Sequence, residues 1–189
     1  MISLLSSFFV IFLAEIADKT MLLTLSLSAK MRKFELIIGI FSASFAVMLL
    51  PILVGDWLNN VMPKASLVLA SGLIFLAIGI FSLFEKSEEE ERERLFKLPG
   101  FLTAFLVFLL AEMGDKTQIA TFSMAVNSRE VFPVWIGASL GLFVPNLAVV
   151  LLGSILMRIN VKITKYVSSI IFISVGIIIL LEYFGIIEF

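Results

Sequence analysis

The sequence predicts an all-α integral membrane protein, with six transmembrane helices arranged as two inverted three-helix repeats. Three observations lead there. First, 60% of the 189 residues are hydrophobic and mean hydropathy is +1.12. Only 15% are charged, against about 25% in an ordinary soluble domain. That much apolar surface has no place to hide in a water-soluble fold of this size. Second, the apolar residues fall into six stretches of roughly the 20 residues a helix needs to cross lipid. Third, "AEIADKT" at 14–20 returns as "AEMGDKT" at 111–117, 97 positions later.

The six spans are read at about 3–27, 35–57, 66–84, 100–126, 131–157 and 164–187. They are continuous apolar runs with Gly and Ser, not the alternating pattern of barrel strands. The first span carries Glu15, Asp18 and Lys19, and its N-terminal end lacks the basic residues of a cleaved leader. A short turn, Lys30-Met-Arg-Lys33, leads to the second span, where Pro51 predicts a kink. Asn59-Asn-Val-Met-Pro63 leads to the third span, which ends at Glu85. Residues 86–99 form a polar, acidic linker dividing repeat 1 (1–85) from repeat 2 (100–189). The fourth span repeats the charges as Glu112, Asp115 and Lys116. The fifth holds Pro145, a second predicted kink, and Gly137-x-x-x-Gly141, a spacing that lets helices approach closely. The sixth, "SSIIFISVGIIILLE" at 168–182, matches "SGLIFLAIGIFSLFE" at 71–85, again at offset 97. In the middle helices Gly39, Phe45 and Gly55 fall on Gly137, Phe143 and Gly153 at offset 98, one turn residue accounting for the slip.

Three spans per half is an odd number, so the second half must run through the bilayer in the opposite sense. Inverted repeats of this kind carry secondary transport, with the site at the repeat interface near the midplane. The Lys and Arg residues set the orientation. Lys30, Arg32, Lys33, Lys86, Arg92, Arg94, Lys97, Arg158, Lys162 and Lys165 lie on one side; Lys64 and Arg129 lie on the other. The first side is predicted to be cytoplasmic, with the linker there and both termini outside.

The mid-span charges are the candidate site. On a continuous helix Glu15 and Asp18 project from one face with Lys19 beside them, and Glu112, Asp115 and Lys116 repeat the pattern. Six buried charges cost on the order of 15–20 kcal/mol before pairing, so they must face protein or water. Their structural reading is an ion-pair lock between two helices. Such pairs rarely outdo apolar packing of the same volume, and four acids against two lysines leave two negative charges in surplus. That surplus suits one divalent cation, or two protons in its absence, which is what cation–proton exchange requires. The donors available are hard: the four carboxylates, the hydroxyls of Thr20 and Thr117, and the amide of Gln118. They fit Mn²⁺, Ca²⁺ or Mg²⁺ better than Zn²⁺ or Cu⁺. Lys19 and Lys116 are the internal counter-charges. Met21, which stands where Gln118 stands in the second copy, reads as packing or as a thioether near the ion. Asn146, at mid-span after Pro145, adds an oxygen to the site or a bond between helices. Ser42 and Ser44 line the path or bond their own helix. There are no Cys or His residues, which removes disulfides, thiolates and imidazole ligands. No basic patch points to nucleic acid.

The duplicated Glu-x-Gly-Asp-Lys-Ser/Thr motif, in a six-span chain with an acidic linker, resembles the Gdt-type manganese/calcium cation–proton antiporters. These are similar to the bacterial MneA-like exporters of the lysine-exporter superfamily. The resemblance implies a secondary transporter that moves Mn²⁺ or Ca²⁺ out of the cytosol against H⁺, with the motif acids as its metal site. The ion is then cargo, no cofactor is implied, and the partners are the divalent ion, protons and lipid. A prokaryotic inner membrane is the expected location, and the oligomeric state is left open. Glu112, Gly114, Asp115, Lys116 and Thr117 match the motif in full, whereas the first copy has Ala17 for the glycine. The competing readings are another solute exporter or cation channel of this architecture, a structural membrane subunit with buried ion pairs, and an intramembrane aspartyl protease. The protease requires glycine where Glu112 stands.

Overall fold

The computed structural model describes residues 1–16, 18–82, 100–128, 130–153 and 161–186. Among them all regular structure is helical: α1 (Ile2–Glu15), α2 (Lys19–Ser28), α3 (Lys33–Val61), α4 (Lys64–Ser82), α5 (Gly100–Glu112), α6 (Lys116–Asn127), α7 (Val131–Leu152) and α8 (Val161–Tyr183). The linker 86–99, Glu85, Ala17, Arg129 and Arg158 lie outside the described residues, as does the side chain of Lys19.

The first and fourth predicted spans are not single helices. Each breaks at its charged motif, giving α1/α2 and α5/α6, and the two breaks have the same build. The chain leaves the helix after the glutamate and re-enters at the lysine. Asp18 (φ −73°, ψ 171°) and Asp115 (φ −76°, ψ 163°) are extended and stand at the N-caps of α2 and α6. The Asp18 amide donates to Glu15 O at 3.0 Å, and the Asp115 amide to Glu112 O at 3.1 Å. In the second copy Gly114 takes φ +78°, a left-handed backbone that glycine adopts without a Cβ clash. A same-face arrangement of Glu, Asp and Lys on one continuous helix is therefore replaced by two half-helix ends meeting at each motif.

Among the described residues, three helices are individually long and apolar enough to cross a membrane: Lys33–Val61, Lys64–Phe81 and Val131–Leu152. Trp57, Phe81 and Phe132, each more than 60% exposed, project from these elements or their ends. Side chains of that kind suit lipid, not water.

Packing runs mostly between the halves. α1 lies along α7, α5 along α3, and α4 along α8. The contacts are reciprocal. A Cβ on Gly137 of α7 would stand 2.1 Å from Ser7 Oγ and 2.3 Å from Leu4 O of α1. One on Gly39 of α3 would stand 2.5 Å from Ala104 Cβ and 3.1 Å from Phe101 O of α5. Leu4 and Ser7 map onto Phe101 and Ala104 at offset 97, so the same crossing is made twice. Phe75 of α4 and Phe172 of α8 correspond at that offset and touch each other, ring centroids 6.0 Å apart, both fully buried. Each of these residues thus packs against its own sequence counterpart in the other half. The half-helices differ, however. α6 is covered by α3 and α4, and Ser123 and Val126 are buried. Their counterparts on α2, Ser26 and Ala29, are exposed.

Candidate functional site: two broken helices meeting at buried carboxylates

Glu15 and Glu112 are the last residues of α1 and α5, and both side chains are fully buried. The carbonyl-rich, negative ends of these helices face the same region. Each glutamate is held by the threonine five residues on. Thr20 Oγ1 donates to Glu15 Oε1, and Thr117 Oγ1 donates to Glu112 Oε2 at 3.2 Å. The spacing follows from the break: the threonine sits in the first turn of the next half-helix, folded back over the preceding glutamate. The remaining oxygens, Glu15 Oε2 and Glu112 Oε1, are buried without a hydrogen-bond partner among the described residues. Orphaned carboxylate oxygens are costly in a dry interior and mark a place where a proton or cation belongs.

The two breaks lie side by side. Lys116 Nζ, at the head of α6, pairs with Asp18 Oδ2 at 2.7 Å, so the second motif supplies a counter-charge to the first. Glu15 and Glu112 lie within electrostatic reach of each other and of Asp18 and Asp115. Among the described residues, no three carboxylates converge closely enough to hold a metal by themselves. Other donors must complete any coordination shell.

The remaining predicted residues divide by position. Asn146 of α7 is fully buried and lies against the first break. Its Nδ2 donates to Glu15 Oε1 at 3.3 Å, and its Oδ1 accepts from Thr24 Oγ1 at 2.7 Å. Gln118 is engaged at both ends: Oε1 accepts from the Gly114 amide at 2.9 Å, and Nε2 donates to Val47 O at 3.0 Å. The second bond has a local cause. Val47 O would pair with the amide of residue 51, but that residue is Pro51, which has none. Met21, the counterpart of Gln118, is buried. Ser44 donates to Ile40 O of its own helix at 2.8 Å, the self-bonding alternative. Ser42 is half-buried on α3.

Sequence reasoning passed over Thr24, Thr121 and Met48. Thr121 Oγ1 donates to Met48 Sδ at 3.3 Å, and all three residues are fully buried or nearly so. Thr24 and Thr121 correspond at offset 97, one turn beyond Thr20 and Thr117. That match was available in the sequence.

Comparison with known proteins agrees with this geometry. The family described as "Divalent cation/proton antiporter GDT1" matches in two successive stretches, residues 3–90 and 100–186. A Vibrio cholerae protein named "Putative manganese exporter" is 35% identical over 149 residues, covering 76% of this chain and 72% of that one. GDT1-like protein 3 of Arabidopsis thaliana is 28% identical over 203 residues, covering 93% and 69%. A GDT1-like protein of Schizosaccharomyces pombe is 26% identical over 234 residues, covering 93% and 81%. No solved structure matches the chain. The chain is an integral membrane transporter, not an enzyme, and belongs to the divalent cation/proton antiporter GDT1 family.

Proposed function

We propose that this chain exports a divalent cation, Mn²⁺ or Ca²⁺, from the cytosol in exchange for protons. Glu15, Asp18, Glu112 and Asp115 form the acidic centre of one shared site. The observation that carries this reading is the pair of orphaned carboxylate oxygens, Glu15 Oε2 and Glu112 Oε1, buried at the ends of two half-helices. Broken helices whose ends and unwound carbonyls face a central cavity are how membrane carriers bind cations without charge in lipid. Thr20, Thr117 and Asn146 stand close enough to contribute neutral oxygens. Gln118 is fixed to the break, where it holds Gly114 in place. Lys116 neutralises Asp18, and Lys19 has the equivalent place in the first copy.

The fold reading is six spans in two inverted repeats, α1/α2 and α5/α6 each crossing as one interrupted span. α1 and α2 together hold 14 and 10 residues, about 36 Å of helix against a hydrocarbon core of about 30 Å. The twofold family match and the reciprocal crossings at Gly39 and Gly137 support it. The Lys/Arg asymmetry favours a cytoplasmic linker and outward termini, and a prokaryotic inner membrane is the location that fits. In such a carrier the unequal cover of α2 and α6 is what exchanges when access alternates: α6 is sealed on its side, α2 is not.

The test is uptake into proteoliposomes of purified protein under an imposed pH gradient, with Mn²⁺, Ca²⁺ and Mg²⁺ compared. Metal movement should require the gradient and be matched by opposite proton flux. Metal flux indifferent to the gradient, with no proton movement, refutes the exchange reading and favours a channel.

A further inference from the structure

The two halves of the site are not chemically equal, and one inequality lies where α3 and α7 meet the half-helices. Met48 on α3 and Asn146 on α7 are counterparts at offset 98, the offset of the flanking middle-helix glycines. Each accepts a hydrogen bond from the counterpart threonine of a half-helix. Thr24 Oγ1 donates to Asn146 Oδ1 at 2.7 Å, and Thr121 Oγ1 donates to Met48 Sδ at 3.3 Å. Asn146 reaches on to Glu15 Oε1 at 3.3 Å. In the second half the corresponding glutamate is Glu112, tied to Thr117, which lies one turn from Thr121 on the same face of α6. All of these side chains are fully buried. Met48 therefore takes, toward Thr121, the station that Asn146 takes toward Thr24, one turn from the threonine that holds Glu112. One half-site holds an amide, whose oxygen accepts from Thr24; the other holds a polarizable thioether sulfur, which accepts from Thr121.

We propose that Met48 is the specificity-determining residue of the cation site, and that it sets a preference for divalent ions that accept a sulfur ligand (Cd²⁺ strongly, Mn²⁺ weakly) over Ca²⁺. The physical ground is ligand softness. Ca²⁺ and Mg²⁺ gain almost nothing from a thioether, while Mn²⁺ tolerates one and Cd²⁺ favours it. The Thr121 hydroxyl fixes the sulfur's position by donating to one of its lone pairs, and the second lone pair remains for an ion. A purely packing role for Met48 would be served equally by leucine, and would predict no change in ion order on that replacement. This inference rests on the shared-site reading above.

The experiment measures thermal stabilisation of purified protein in detergent by Mn²⁺, Cd²⁺ and Ca²⁺ alone, for wild type, Met48→Leu, Met48→Asn and Asn146→Gln. A ligand that binds the folded form raises its apparent stability with concentration. Wild type should be half-stabilised at lower Cd²⁺ and Mn²⁺ than Ca²⁺. Met48→Leu keeps the side-chain volume, so it should fold, and it should weaken Cd²⁺ and Mn²⁺ by roughly fivefold or more relative to Ca²⁺. Met48→Asn, which gives both halves an amide, should shift the order furthest toward Ca²⁺. Asn146→Gln should weaken all three ions without reordering them. Wild-type stabilisation followed by an unchanged ion order in both Met48 variants overturns this inference and leaves the shared site standing. No stabilisation of wild type by any of the three ions overturns the shared-site reading, and this inference with it.

Discussion

The ion pair between the two breaks permits a quantitative test. Lys116 Nζ and Asp18 Oδ2 are 2.7 Å apart, and their side chains are only 9% and 14% exposed. At an effective dielectric of about 20, unit charges this close attract by roughly 6 kcal/mol, offset in large part by the desolvation of both. Removing one partner is different, because it leaves the other as a buried, uncompensated charge. Lys116→Gln should therefore cost about 3–5 kcal/mol of stability. Lys116→Gln with Asp18→Asn leaves two neutral amides of similar shape. The double variant should return to within about 1 kcal/mol of wild type, so the two single losses should be far from additive. Unfolding of the four proteins in detergent, in metal-free buffer, measures the cycle. The Lys116→Gln single variant should also be rescued by Mn²⁺ more than wild type is, because the cation replaces the missing positive charge. A loss below about 1 kcal/mol in the single variant, or no restoration by the second substitution, refutes a buried Lys116–Asp18 ion pair.

Other predictions follow from the crossings and the breaks. Gly137→Ala forces a Cβ to within 2.3 Å of a backbone carbonyl of α1, so α1 must retreat from α7; transport should be lost, with about 1–3 kcal/mol of stability. Gly39→Ala meets a side-chain methyl first, at 2.5 Å, and should be the milder of the two in a side-by-side uptake assay. Gln118→Leu strands the part-buried Val47 O and should cost roughly 1–3 kcal/mol, the exposed Gly114 amide adding little. Adding Pro51→Ala restores an amide to Val47 O and should recover part of that loss in thermal unfolding; no recovery would show that the proline is not the cause. Apparent Mn²⁺ affinity in the uptake assay should fall steadily from about pH 8 to about pH 6, since the metal must displace protons from its carboxylates. Affinity that rises on acidification would contradict carboxylate ligands.

Much of this was legible in the sequence, for identifiable reasons. The charged motif and its repeat at offset 97 stand out because charge is costly in an apolar stretch, and the structure brings both copies to one place. The break in each motif was not legible from hydropathy. Two or three residues leaving the helix do not alter the composition of a 25-residue window, and Ile16 has no breaker character. Gly114 did signal it, but a glycine within a membrane helix has several uses. Gln118 was read as a donor to the ion from its distance along the helix. Its actual partners depend on where α3 places a proline-freed carbonyl, which no local pattern encodes. Met48 is hidden for the same reason: Thr121 is legible as the counterpart of Thr24, but its meeting with Met48 is set by how α6 crosses α3.

The interleaving of the two halves bears on how the protein is made. α1 packs on α7, α5 on α3 and α4 on α8, so neither half buries its own small-residue faces. Synthesis delivers Glu15 and Asp18 to the bilayer long before Asn146 and Lys116, the residues that satisfy them, have been translated. For that interval Glu15 lacks Asn146 and Asp18 lacks Lys116, in a setting where a charge at mid-membrane costs about 3 kcal/mol. It is retained by the strongly apolar α3 that follows. A chain stopped after α4 should thus insert and still be a target for membrane quality control, and the second half supplied as a separate polypeptide should rescue it. Assembly of this transporter is closer to the docking of two subunits than to the sequential folding of two domains.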